Sequence, residues 1–174
     1  MMWDAETIYL AVEVVDDKLV FEKGGSVHNW NNDSLQVYFD TFCNARVKLA
    51  RGFDSDDYSY DFCRDPKDMA HATPFRMFTP EEQLTGGIYG LPNRVMETNI
   101  PAAFRETKGG YIYEIAFPKR YLEPMILKTG TVAGFGLFLN DHDGHYHYKK
   151  HCKKYYKPEK ACTAFQDYHR LTYV

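Results

Sequence analysis

From Ser34 to Thr41 the chain alternates strictly, with Leu35, Val37, Phe39 and Thr41 on one side and Ser34, Gln36, Tyr38 and Asp40 on the other. A period of two over this length is the signature of a strand with one face in a core and the other turned outward. The strand is preceded by His28-Asn29-Trp30-Asn31-Asn32-Asp33, a Trp followed by a polar turn. This arrangement sets an aromatic ring beside the polar face of a sheet. Such a surface suits a flat, weakly apolar ligand rich in hydroxyls, which describes a sugar ring; the competing reading is that Trp30 closes the edge of the core, as Trp is highly buried on average.

The same alternation recurs along the chain. Thr7 to Val14 turns Ile8, Leu10, Val12 and Val14 inward, and Tyr58, Tyr60 and Phe62 alternate with Ser59 and Asp61 as the return strand of a long-looped hairpin. Val95 to Ile100 reads as a short strand and Tyr111 to Phe117 as another, stopped by Pro118. Val132 to Leu139 is apolar on both faces, as in a central strand covered on both sides or lying under loops, and Arg170 to Val174 closes the series. Arg64 to Asn93, with Pro66, Pro74, Pro80 and Pro92, reads as loops carrying one helical turn at Thr79-Pro80-Glu81-Glu82, and Pro118 to Met125 as at most a short helix. About seven strands with long loops predict an all-β chain folded as an antiparallel β-sandwich. With 174 residues the chain fits a single domain, residues 1–174, large enough to bury a core without disulfides.

Charge and motifs narrow the function. Lys+Arg 21 against Asp+Glu 24 leaves a formal charge of -3, so no basic field argues for nucleic acid. No apolar run approaches a membrane span, and the first residues lack the basic and apolar regions of a signal peptide; the sequence reads as starting after processing, inside a larger protein, or in the cytosol. Nucleophile-elbow, phosphate-loop, dinucleotide and zinc-protease helix motifs are absent from the sequence. An enzymatic alternative rests on carboxylate pairs such as Asp33 with Asp61, whose spacing a sequence does not supply.

Other residue groups offer ligand chemistry. Calcium takes six to eight oxygen ligands, and Asp16, Asp17, Asp54, Asp56, Asp57, Asn140, Asp141 and Asp143 all stand at strand ends, where Asp also serves as a turn former. His142, His145, His147 and His151 have the composition of a transition-metal site or of a solvated loop, and one of them with Met77, Met96 or Met125 would make a haem ligand pair. Cys43 with Cys63, and Cys152 with Cys162, are open to disulfide pairing or to free buried thiols.

Trp3-Asp4, Ile8-Tyr9-Leu10-Ala11-Val12, Asp16-Asp17, Trp30, Asp33 to Asp40, Tyr113-Glu114-Ile115-Ala116-Phe117-Pro118 and Gly134 to Asp141 follow one another in an order and spacing that resemble a family 9 carbohydrate-binding module. The resemblance runs over nearly the whole chain. It implies a jelly-roll-like sandwich, structural calcium, and recognition of plant-type polysaccharide or oligosaccharide by aromatic stacking. It also implies a module of a larger, secreted glycosidase, found outside the cell, at its surface or in the periplasm. Trp30 matches one stacking aromatic of the family, and Tyr155 or Tyr156 stands in for the second. Gln36 occupies a position where sugar-binding members carry Glu, Asp61 one where they carry Arg, and Phe138 one where they carry an amide. The sequence also begins near the family's second strand. A non-catalytic sugar-binding module is therefore the first expectation, with a glycoside-processing domain, a structural interaction module and a haem-binding sandwich as alternatives.

Overall fold

The computed structural model describes residues 1–21, 32–44, 56–78, 95–96, 99–141 and 169–172; of 78, 95–96 and 169–172 it describes the backbone alone. Among the described residues ten strands follow one another: β1 Met2–Trp3, β2 Thr7–Val15, β3 Ser34–Asp40, β4 Asp57–Arg64, β5 Ala72–Phe78, β6 Val95–Met96, β7 Ala102–Thr107, β8 Gly110–Pro118, β9 Val132–Asn140 and β10 His169–Thr172. They form two sheets, ordered β1-β2-β8-β7 and β10-β9-β3-β4-β5-β6. Every pairing is antiparallel. The β-sandwich expected from the alternation is the observed fold.

The core lies between the sheets. β2 faces it with Ile8, Leu10 and Val14, β8 with Tyr111, Tyr113, Ile115 and Phe117, and β7 with Ala102 and Phe104. The larger sheet answers with Leu35, Val37 and Phe39 of β3, Tyr58, Tyr60 and Phe62 of β4, and Phe135 of β9. Phe117 is fully buried, and its ring centroid lies 5.1 Å from Phe39, 5.4 Å from Tyr60 and 5.6 Å from Phe62. Edge and tilted contacts of this kind add to the burial of apolar area. The core tyrosines also find polar partners: Tyr60 Oη donates to the Tyr121 carbonyl at 2.6 Å, and Tyr58 Oη donates to the Glu123 carbonyl. Both acceptors belong to the 119–125 segment, where Lys119–Tyr121 forms a single 3-10 turn, as short as expected.

Three expectations are corrected. The proline-rich stretch after Arg64 holds β5, which pairs with β4 from Ala72 to Phe78 despite Pro74. A proline lacks the N–H of a sheet ladder, so it weakens the signal of a strand in the sequence; here Pro74 stands opposite Phe62 of β4. Of the strand expected over Val95 to Ile100, Val95–Met96 is strand and Asn99 and Ile100 are not, residues 97–98 lying outside the described residues, and the strand that pairs with β8 is Ala102–Thr107. β9 lies between β10 and β3, but it is not covered on both faces along its length, because Leu137 and Leu139 are 44% and 41% exposed. The helical turn at Thr79 to Glu82 lies outside the described residues.

Cys43 and Cys63 are free, which rules out the cross-strand disulfide between them. Cys63 is enclosed in the sheet. Burial first, and then the charges of Asp61 and Asp33, push its thiol up to about 12. Cys152, Cys162 and the four clustered His lie outside the described residues.

Candidate functional site

β3 is flanked by β9 on one side and β4 on the other, so each outward residue of β3 has a neighbour on both sides. Gln36 stands opposite Asp61 of β4 and Phe138 of β9. Directly opposed residues share a face, so the three residues form one row across the outer side of the larger sheet. Tyr38 lies on the next row, between Ser59 and Gly136, and Tyr38 Oη donates to Gln36 Oε1 at 2.5 Å. Gln36, Tyr38 and Phe138 are half-buried, and Asp61 is buried. The structure therefore brings together two of the predicted ligand-binding residues, Gln36 and Asp61, and adds Tyr38. The i, i+2 spacing of Gln36 and Tyr38 on one strand already places both on this face; the sequence did not indicate which groups bond. Trp30, Tyr155 and Tyr156 lie outside the described residues.

The acidic candidates divide into two groups. Asp16 follows β2, Asp33 precedes β3 and Asp141 follows β9, and each offers a carboxylate oxygen within 4.8 Å of the others. Asp16 Oδ2 is a buried oxygen with no hydrogen-bond partner. So is Tyr111 Oη, on a fully buried side chain. Burial and then the charges of Asp33, Asp16 and Asp141 raise the Tyr111 phenol well above its usual range. The donor set is all oxygen, which suits a hard cation. One oxygen of Asp33 accepts the Val20 N–H, and Asp16 Oδ1 accepts the Lys18 N–H at 2.8 Å.

Asp40, Asp56 and Asp57 form the second group, all three buried. Here the carboxylates of Asp40 and Asp56 hold the local chain. Asp56 accepts the Phe42 N–H at 2.9 Å and the Asn44 side-chain amide at 3.1 Å, and Asp40 accepts the Asn44 N–H at 3.1 Å. This is the turn-forming use of Asp. Asp17 is exposed and belongs to neither group, while Asn140 Nδ2 donates to Ser34 Oγ at 2.8 Å. Asp54 and Asp143 lie outside the described residues. Asp33 and Asp40, absent from the expected set, flank β3 at its two ends; only the sheet topology brings them to their partners.

The remaining alternatives have less to build on. Asp33 and Asp61, the carboxylate pair singled out for an enzyme, are 0% and 1% exposed. Met125 is enclosed in the core. No helix among the described residues is long and apolar enough to cross a membrane.

The model of the carbohydrate family 9 binding domain-like family matches residues 1–167. The chain belongs to that family. As a family 9 module it is 29% identical over 143 residues to exoglucanase XynX of Acetivibrio thermocellus, which covers 82% of this chain and 10% of that enzyme. It shares its fold with a family 9 carbohydrate binding module from Caldicellulosiruptor kristjanssonii solved with glucose, at a TM-score of 0.50 and 16% identity, over 82% of this chain and 58% of that one. The same holds for that organism's module solved with cellotriose, at a TM-score of 0.50 and 17% identity, over 82% and 56%. The module thus spans a small part of the exoglucanase and little more than half of each solved chain.

Proposed function

We propose that this family 9 module is a non-catalytic domain that binds plant-type polysaccharide or oligosaccharide, with a β-linked glucan as its first ligand. The observation that carries the reading is the row Asp61, Gln36, Phe138 with Tyr38 beside it, a polar and aromatic face on a fold shared with modules that hold glucose and cellotriose. Sugar sites combine an aromatic platform for the C–H face of the ring with a few polar groups that fix its orientation. Trp30, which leads into β3, and Tyr155 or Tyr156 are the proposed platforms; Gln36 and Asp61 are the proposed polar groups. The exoglucanase likeness supports a module carried by a larger, secreted glycoside hydrolase.

Calcium belongs to the same reading. Asp16, Asp33 and Asp141 would hold it, since all three offer hard oxygen ligands at one end of the sandwich and the unpartnered Asp16 Oδ2 lies among them. There the cation would tie the end of β2 in one sheet to the start of β3 and the end of β9 in the other. Its role would be structural.

A calorimetric titration against cello- and xylo-oligosaccharides, with and without chelator, tests both parts. Saturable binding of a cello-oligosaccharide is expected. A chain of intact fold that binds none of the panel, with calcium present, would defeat the reading.

A further inference from the structure

We infer that Tyr38 is a positioning residue that locks the Gln36 side-chain amide so that it meets a ligand only as a hydrogen-bond donor; the inference rests on the sugar-binding reading of this face. An amide carries one acceptor oxygen and a two-proton donor nitrogen, and a freely turning amide offers either end. Here the oxygen is engaged: Tyr38 Oη donates to Gln36 Oε1 at 2.5 Å. Among the described residues the amide makes no other hydrogen bond, and the side chain is half-buried, so its Nε2 is left for what approaches the face.

The geometry follows from the strand. Residues i and i+2 of β3 point to the same side, and a Tyr two positions beyond a Gln reaches back along the strand with its hydroxyl. Both side chains are flanked by the paired strands β4 and β9, with Gln36 between Asp61 and Phe138 and Tyr38 between Ser59 and Gly136.

The consequence is a choice of ligand atoms. A donor-only Gln36 selects groups that accept, such as a sugar hydroxyl or ring oxygen. A carboxylate at this position would do the reverse and demand hydroxyl protons. Holding the amide in advance also removes the cost of ordering it when the ligand arrives.

A double-mutant cycle with cellotriose as the probe tests this. Tyr38→Phe keeps the ring and its packing, and it is expected to weaken binding roughly five- to tenfold. In a Gln36→Ala background the same change should have no effect, because the two residues act as one unit. Equal losses in both backgrounds would overturn the inference, since Tyr38 would then act on the ligand or the fold by itself. So would an unchanged affinity in Tyr38→Phe. A ligand-free nuclear magnetic resonance spectrum supplies an arm that needs no sugar: the Gln36 side-chain amide signals should shift in Tyr38→Phe, and unmoved signals would remove the hydrogen bond. A wild-type chain that binds no sugar would overturn the sugar reading and the ligand role of Tyr38 together, whereas additive losses in a chain that binds would overturn this inference alone.

Discussion

Tyr60 and Tyr121 are joined across 61 residues of sequence by one hydrogen bond, from the Tyr60 hydroxyl to the Tyr121 carbonyl at 2.6 Å. The ring of Tyr60 fills the core beside Phe117 while its hydroxyl ties down the segment that follows β8. Tyr60→Phe keeps the ring and leaves that carbonyl without its phenol donor. The expected loss is about 1–2 kcal/mol, read as a lower urea midpoint at an unchanged slope.

Gly134 stands opposite Asp40, and a Cβ added there would lie 2.8 Å from the Asp40 Cβ. Contact that close is not tolerated, so Gly134→Ala forces β9 or the Asp40 side chain to move. Overpacking of this kind costs about 1–3 kcal/mol. Thermal unfolding should show it, and a variant as stable as the parent would mean that the strands yield at this point.

Where one face of a strand is apolar and the other polar, the sequence carries the pattern openly, and β2, β3, β4 and β8 were legible for that reason, although both faces of β4 are buried. β5 was hidden by Pro74, which argues against a strand in a sequence because it cannot donate to a ladder, yet β5 pairs with β4 on both sides of it. β7 reads Ala-Ala-Phe-Arg-Glu-Thr, with too few β-branched or aromatic residues to stand out, and becomes a strand through its pairing with β8. The acidic site was half legible. Asp16 and Asp141 were recognisable as strand-end carboxylates, but Asp33 meets them only because β3 starts where β2 and β9 end. The outer row was legible at Gln36 and Asp61, because period two fixes which residues face outward; the bond from Tyr38 depends on rotamers that no sequence pattern records.

Asp65 gives the acid limb of stability a definite sign. The Lys67 N–H at 2.8 Å, helped by the Thr73 hydroxyl at 3.1 Å, holds its carboxyl below the usual 3.8. A carboxylate with a lowered folded value contributes stability that is present above the unfolded value and is lost as the pH falls through the folded one. The contribution therefore disappears below about pH 4. Asp65→Ala should lower stability at pH 7 and flatten the decline between pH 5 and pH 2; an identical decline in the variant would place the acid sensitivity elsewhere.

The proposed calcium at Asp16, Asp33 and Asp141 should reveal itself by mass action. A ligand present at a hundred times its dissociation constant stabilises the native state by about 2.7 kcal/mol, which in a domain of this size moves the melting temperature by roughly 5–10 °C. Chelator should lower the melting temperature by that amount, and Asp141→Asn should reduce the response. An unchanged melting curve, with no metal found by elemental analysis, would leave these residues as turn formers.

The most direct test of sugar binding at this face is the calorimetric affinity for cellotriose of the wild-type chain beside Trp30→Ala, with the melting temperature of both recorded. Stacking on the indole predicts saturable wild-type binding that weakens at least tenfold in the variant, a loss of about 1.4 kcal/mol. Stability should fall by much less than the roughly 3–5 kcal/mol of a deleted core aromatic. Wild-type binding that Trp30→Ala leaves intact, or a collapse of stability in a chain that binds no sugar, would contradict the account.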